Sequence, residues 1–270
     1  MAPVLAAVAA TLALLGAPAA DDPAYRLARS LASTGPRPAA GANERRAHRR
    51  VAAAFAGAGL TVSRDPFTVP GKGRSRNVIG ALPGTHDCLW IVMAHADTVP
   101  PSPGAEDNAS GIATLAALAT ELTEQPRCDL WLVATGAEER IYTGQPDHLG
   151  ASALVRHLAD RGRMQDLRWA LALDEVGTSR TMWLRSPRHR PFERRVVAAA
   201  DGTGLDVRWV ADEGTGNSDH RELGLAGLTA AKLGVQDNPV RHTAADVKRR
   251  LRAGVFPRVR QIVRNLLQAG

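Results

Sequence analysis

The strongest constraint on the fold is a set of short apolar runs that each lead into carboxylates or an imidazole. The first, Cys88-Leu89-Trp90-Ile91-Val92-Met93, has the composition of a strand buried on both faces. It runs into Ala94 to Gly111, AHADTVPPSPGAEDNASG. His95 and Asp97 therefore stand where that strand ends. Asp107 comes twelve residues after His95, and Asn108-Ala109-Ser110-Gly111 then open an apolar helical pattern carrying Ile112, Leu115, Leu118 and Leu122. A second run, Asp129 to Thr135, continues into Glu138-Glu139, and a third, Arg168 to Leu173, ends at Asp174-Glu175. In open α/β sheets, parallel strands bring their carboxyl ends to one edge, where ligands bind. These side chains are predicted to meet there.

Apolar periodicity predicts the remaining elements. Tyr25 to Ser33, Glu44 to Ala58, His148 to Arg161 and Phe192 to Ala200 read as helices, and Gly59 ends the second. Leu60 to Val69 and Asn77 to Leu82 alternate as strands around the glycine-rich loop Pro70 to Ser75, which lacks phosphate-loop spacing. Thr181 to Leu184, Leu205 to Val210 and Leu225 to Leu233 are further strands. A final helix follows the breaks at Gly254 and Pro257. All five tryptophans fall in predicted strands, where core packing accounts for them. With 270 residues and no repeat or linker, residues 21–270 are expected to form a single domain. Its expected architecture is a three-layer α/β/α sandwich around a mostly parallel, mixed-edge sheet.

Residues 2–20 are almost entirely Ala, Leu, Val, Gly and Pro, and Ala17-Pro18-Ala19-Ala20 supplies the small residues of a cleavage site. Residues 1–20 are read as a signal peptide despite a weak n-region, with an Ala-rich tail as the alternative. A secreted or periplasmic protein without stable membrane insertion is expected. Export would permit a bridge between Cys88 and Cys128, and two separate buried thiols remain the alternative. The formal net charge is +7, carried largely by arginine runs such as Arg45-Arg46-Arg49-Arg50, read as solvated faces. Few aromatics are available for stacking, so nucleic-acid binding is not expected.

Imidazole and carboxylate ligands without nearby paired thiols suit zinc, with manganese or cobalt as substitutes. The segments His95-Ala96-Asp97, Gly104 to Gly111, Glu138-Glu139, Leu173 to Gly177, Ser218-Asp219-His220 and His242 to Asp246 together resemble a known family. It is that of the di-zinc exopeptidases, which includes secreted leucyl aminopeptidases, glutamate carboxypeptidases and glutaminyl cyclases. The resemblance implies two zinc ions bridged by Asp107, with His95 and Asp174 completing one and Glu139 and His242 the other. It implies Glu138 as general base, Asp97 as the hydrogen-bond partner that orients His95, and a cis peptide at Asp107-Asn108. An aminopeptidase acting as a monomer on peptides is the simplest function it implies. A single-zinc glutaminyl-cyclase-like acyltransferase and a non-catalytic binding protein are the alternatives.

Three departures from the family bear on function. Arg241 stands where a tyrosine often stabilises the oxyanion, and is read as its electrostatic substitute or as a selector of carboxylate-bearing substrates. The segment from Arg140 to Ser152 is longer than the usual turn and contains Tyr142, a loop anchor or a residue near the site. Glu175 replaces an apolar residue and is read as meeting a substrate ammonium or as solvated. His220 is expected to line the pocket or to begin a helix capped by Ser218. His48, His86, His148, His157 and His189 are assigned to the surface.

Overall fold

The computed structural model describes residues 19–140, 148–214 and 216–269, so most of the predicted signal peptide and Tyr142 lie outside the described residues. One eight-stranded sheet runs through it in the order β1-β2-β4-β3-β5-β8-β6-β7. The strands are β1 (Thr61–Val69), β2 (Gly73–Leu82), β3 (His86–His95), β4 (Cys128–Thr135), β5 (Leu167–Leu173), β6 (Thr181–Ser186), β7 (Asp206–Ala211) and β8 (Ala230–Val235). β4, β3, β5 and β8 form the parallel centre. β2 joins β4 antiparallel on one side, and β6 joins β8 antiparallel on the other. The sheet is thus mostly parallel with mixed edges, as expected.

Period-two alternation in β3 divides the core. Trp90, Val92 and Ala94 face the layer made by α1 (Pro23–Ala32), α2 (Ala42–Gly57), α3 (Gly111–Glu121), α5 (Pro191–Ala199) and α7 (Phe256–Gln268). Leu89, Ile91 and Met93 face α4 (Leu149–Asp160) and the short α6 (His220–Leu225) on the opposite side. Trp90 and Trp169 stack on neighbouring strands, and Phe192 continues the stack from α5. Cys88 and Cys128 are bridged at the start of β3 and β4, so the separate-thiol alternative does not hold.

Two element predictions need correction. The run Leu225 to Leu233 is not one strand. Leu225 ends α6, Gly227 turns at φ +80°, and β8 begins only at Ala230. An unbroken apolar run carries no period that separates these states. β2 begins at Gly73, so the Pro70 to Ser75 loop contracts to a tight turn closed by the Lys72 amide donating to the Val69 carbonyl at 3.0 Å.

Candidate metal centre

The carboxyl ends of β3, β4 and β5 converge as the sequence predicts, and His242 reaches them from the loop after β8. His95 Nε2 lies 3.2 Å from Asp107 Oδ1 and 3.4 Å from Asp174 Oδ1. His242 Nε2 lies 3.2 Å from Asp107 Oδ2 and 2.9 Å from Glu139 Oε2. Asp107 therefore presents one oxygen to each imidazole. His95, Asp107 and Asp174 form one group able to hold a cation, and Asp107, Glu139 and His242 form a second. All except His242 are buried. Their nitrogen and oxygen donors match zinc preferences, and the buried Glu139 Oε1 has no protein partner, so the donor set fits a metal.

The charges resist coexistence without a cation. Burial would push the His95 imidazole down, but Glu138 and the hydrogen bonds to Asp107 and Asp174 hold it well above the ordinary range. Burial lifts Asp107, yet His242 and His95 hold it well below its usual value. Burial, reinforced by Asp107, raises Glu139 to about 7. Glu138 is also raised well above the ordinary carboxylate range, by burial and by Glu139 and Asp174, although His95 opposes.

Local sequence fixes these side chains through backbone amides and close packing. Asp246 accepts from the Glu106 and Asp107 amides at 2.9 and 3.0 Å, aiming Asp107. Asn108 donates to the Leu173 carbonyl at 2.9 Å and accepts from Gly111 at 2.8 Å, and the Asp107-Asn108 peptide is cis. A Cβ on Gly111 would come within 2.2 Å of the Leu173 carbonyl, so glycine lets α3 sit against the end of β5. Ala137, Glu175 and His242 all adopt positive φ (50°, 65° and 59°), a strained state for such residues that clusters at functional sites. Asp97 is buried, but its carboxylate stands 3.7 Å from His95 Nδ1, beyond hydrogen-bond reach. Its oxygens instead accept from the Glu138 and Glu139 amides at 3.0 and 3.1 Å. Asp97 thus orients the turn carrying those glutamates more directly than it orients the imidazole.

Several side chains stand where the sequence reading did not put them. Glu175 is neither solvated nor open to a substrate ammonium. It is 1% exposed, accepts from Asn238 at 2.8 Å, and pairs through both oxygens with the Arg241 guanidinium. Arg241 lines the cavity over the ligands, together with Glu138, His148 and Lys232. His220 Nε2 bonds Asp212 at 3.0 Å, and its ring is not part of that lining. His148, assigned to the surface, is buried with Nε2 3.5 Å from Glu138 Oε1 and Nδ1 3.4 Å from Glu222. His48 is buried as well.

Sequence reasoning missed Lys232 and Arg37. Lys232 Nζ lies 2.8 Å from Asp174 Oδ2, which also accepts from Ser218 at 2.8 Å, so only Oδ1 of Asp174 faces His95. A lone lysine in the apolar strand Ala-Ala-Lys-Leu-Gly-Val was the available signal. Arg37, 1% exposed, donates to the carbonyls of Ala96, Pro103 and Gly104 at 2.8, 2.8 and 3.0 Å and so clamps the loop between His95 and Asp107. Nothing in its local sequence marks it.

A cavity of about 180 Å³ opens over the ligand cluster. The family model described as Peptidase family M28 matches residues 77–267. Aminopeptidase YwaD of Bacillus subtilis is 36% identical over 109 residues, 39% of this chain but 22% of that protein. The match thus spans about a fifth of that relative's length. Among solved structures, the zinc aminopeptidase BSAP from Bacillus subtilis aligns with TM-score 0.81 at 17% identity, covering 92% of this chain and 94% of that one. An Acidobacteriales bacterium glutaminyl cyclase aligns at 0.79 and 21% identity, covering 92% and 93%. Both show the same fold. The stretch matched by the family model begins in β2, takes in all five predicted ligands and ends in α7, and on that ground the chain belongs to peptidase family M28.

Proposed function

We propose that this chain is a zinc-dependent exopeptidase, an aminopeptidase that removes N-terminal residues from peptides. The observation that carries this reading is Asp107, whose two carboxylate oxygens each stand 3.2 Å from a different imidazole. That arrangement suits two zinc ions, one held by His95, Asp107 and Asp174 and the other by Asp107, Glu139 and His242. Bound there, zinc would act as a Lewis acid on the scissile carbonyl and acidify the attacking water. Glu138 lines the cavity beside these ligands and serves as general base. Burial makes its carboxylate a better proton acceptor than an ordinary glutamate, and it would return the proton to the leaving amine. His148 stands 3.5 Å from it, and both side chains line the same cavity. Arg241, locked by Glu175, presents a fixed cation to the developing oxyanion.

All ligands come from one chain, so the reading needs no partner subunit. The Cys88–Cys128 bridge suits an oxidising compartment and supports export by residues 1–20. No helix among the described residues is long and apolar enough to cross a membrane. The glutaminyl cyclase with the same fold keeps the acyltransferase as a second reading.

The test combines metal analysis with a panel of aminoacyl anilides and an N-terminal glutaminyl peptide. Anilide hydrolysis with two zinc per chain is expected, and cyclisation with one zinc would favour the second reading. Glu138→Ala should keep its zinc and lose about 10²–10⁴-fold in turnover. Parallel loss of metal and activity would make Glu138 a ligand.

A further inference from the structure

Basic residues gather in several stretches of this chain, and one of them packs its arginines around a cavity. Residues 42–76 carry seven arginines and one lysine against Glu44 and Asp65, a net charge of +6. Glu44 is itself buried and tied to Ser75 and the amides of Ala40 and Ala137. α2 lies across β1 and β2, and the antiparallel register places Arg64 opposite Val78 and Arg76 opposite Pro66. Opposed and next-but-one residues share a sheet face, so Arg64, Arg76 and Val78 point the same way. Arg45, His48 and Arg49 recur at helical spacing on α2. The two sets enclose a cavity of about 320 Å³ whose polar lining is Arg45, His48, Arg49, Arg64 and Arg76, without a carboxylate.

Two of these lining residues each hold one buried atom without a protein partner, Arg76 Nε and His48 Nδ1. His48 is 2% exposed and its Nε2 lies 3.2 Å from the Thr135 carbonyl oxygen. A carbonyl only accepts, so Nε2 carries the proton and Nδ1 of the neutral ring offers a lone pair. Burial keeps the ring neutral, lowering it to about 4. The cavity therefore combines guanidinium donors with one buried acceptor.

We propose that this cavity is a binding site for inorganic phosphate in its hydrogenphosphate form, separate from the metal centre. The guanidinium forks match a tetrahedral oxyanion. Hydrogenphosphate also keeps one O–H at neutral pH, which His48 Nδ1 can accept. Sulfate has the same shape and charge but no such proton, so the site is selective between them. The inference does not depend on the peptidase reading.

The test is calorimetric titration of the zinc-loaded full chain with phosphate and with sulfate at fixed ionic strength. Phosphate is expected to bind at least fivefold tighter than sulfate. Arg64→Gln combined with Arg76→Gln should weaken phosphate binding tenfold or more, about 1.4 kcal/mol, while leaving hydrolytic turnover and zinc content unchanged. His48→Gln should reduce the preference for phosphate over sulfate. Because His48 is buried, Arg49→Gln, at an exposed position, serves as an independent variant. Equal binding of phosphate and sulfate, or phosphate binding undiminished in the double variant, would overturn the proposal, the latter by moving the anion to the zinc ligands. Binding of heparin without binding of phosphate would also overturn it, since a diffuse basic surface would then suffice.

Discussion

At the scale of single residues, the centre depends on how each charge is held. Arg241 reaches the cavity as half of a bidentate pair with a buried glutamate, so its position is set by Glu175 and not by solvent. Arg241→Ala should lower kcat by about 10²-fold with zinc retained. Arg241→Lys should recover only part of this, because an ammonium cannot reproduce the fork on Glu175. Steady-state kinetics beside metal analysis checks both, and an unchanged kcat in Arg241→Ala would remove Arg241 from the reaction. His95, Asp107, Glu139 and Asp174 were legible because each follows an apolar strand or opens a helix, where polarity interrupts a buried pattern. Lys232 was not, since its burial is compensated by Asp174, 58 positions earlier in the chain. His148 sits in a polar stretch that resembles any surface loop, and its burial is decided by Glu138 and Glu222 from other elements.

At the scale of elements, the strands and most helices follow from periodicity, and the exception is where periodicity fails. The apolar Leu225 to Leu233 run contains a helix end, a turn and a strand, and only Gly227 hints at the division. The contact between α2 and the β4 turn is equally hidden, because it is made by a carboxylate in a helix that otherwise reads as amphipathic. Glu44 on α2 accepts from Ser75 on β2 and from Ala137 ahead of the two site glutamates. Burial, with Asp97 adding to it, raises Glu44 from an ordinary 4.5 to about 8. The folded chain therefore holds this proton at pH values where the unfolded chain has released it. Its contribution to stability is present below about pH 4.5 and is lost as pH rises towards 8. Urea unfolding should show wild type losing stability relative to Glu44→Gln between pH 5 and 8. Parallel profiles would mean that Glu44 titrates as an exposed glutamate does.

At the scale of the molecule, the carboxylates of Asp107, Glu138, Glu139 and Asp174 and the imidazoles of His95 and His242 share one end of the sheet, and a cation that binds only the folded arrangement would stabilise it. Zinc at about a thousand times its dissociation constant would contribute about 4 kcal/mol. For a chain of this size that corresponds to a rise in Tm of about 8–16 °C. Chelation should lower Tm by that order and zinc should restore it, whereas a melting point indifferent to chelator would argue against a preformed centre. The clamp made by Arg37 has a further consequence for where the domain begins. Arg37 lies forty residues ahead of the first position matched by the family model, yet it fastens the backbone between His95 and Asp107. The stretch matched by the family model is thus expected to depend on residues ahead of it. A fragment starting at Asn77 would lack the buttress that keeps His95 and Asp107 in register, and is expected to express as a molten or aggregating product even with every ligand intact.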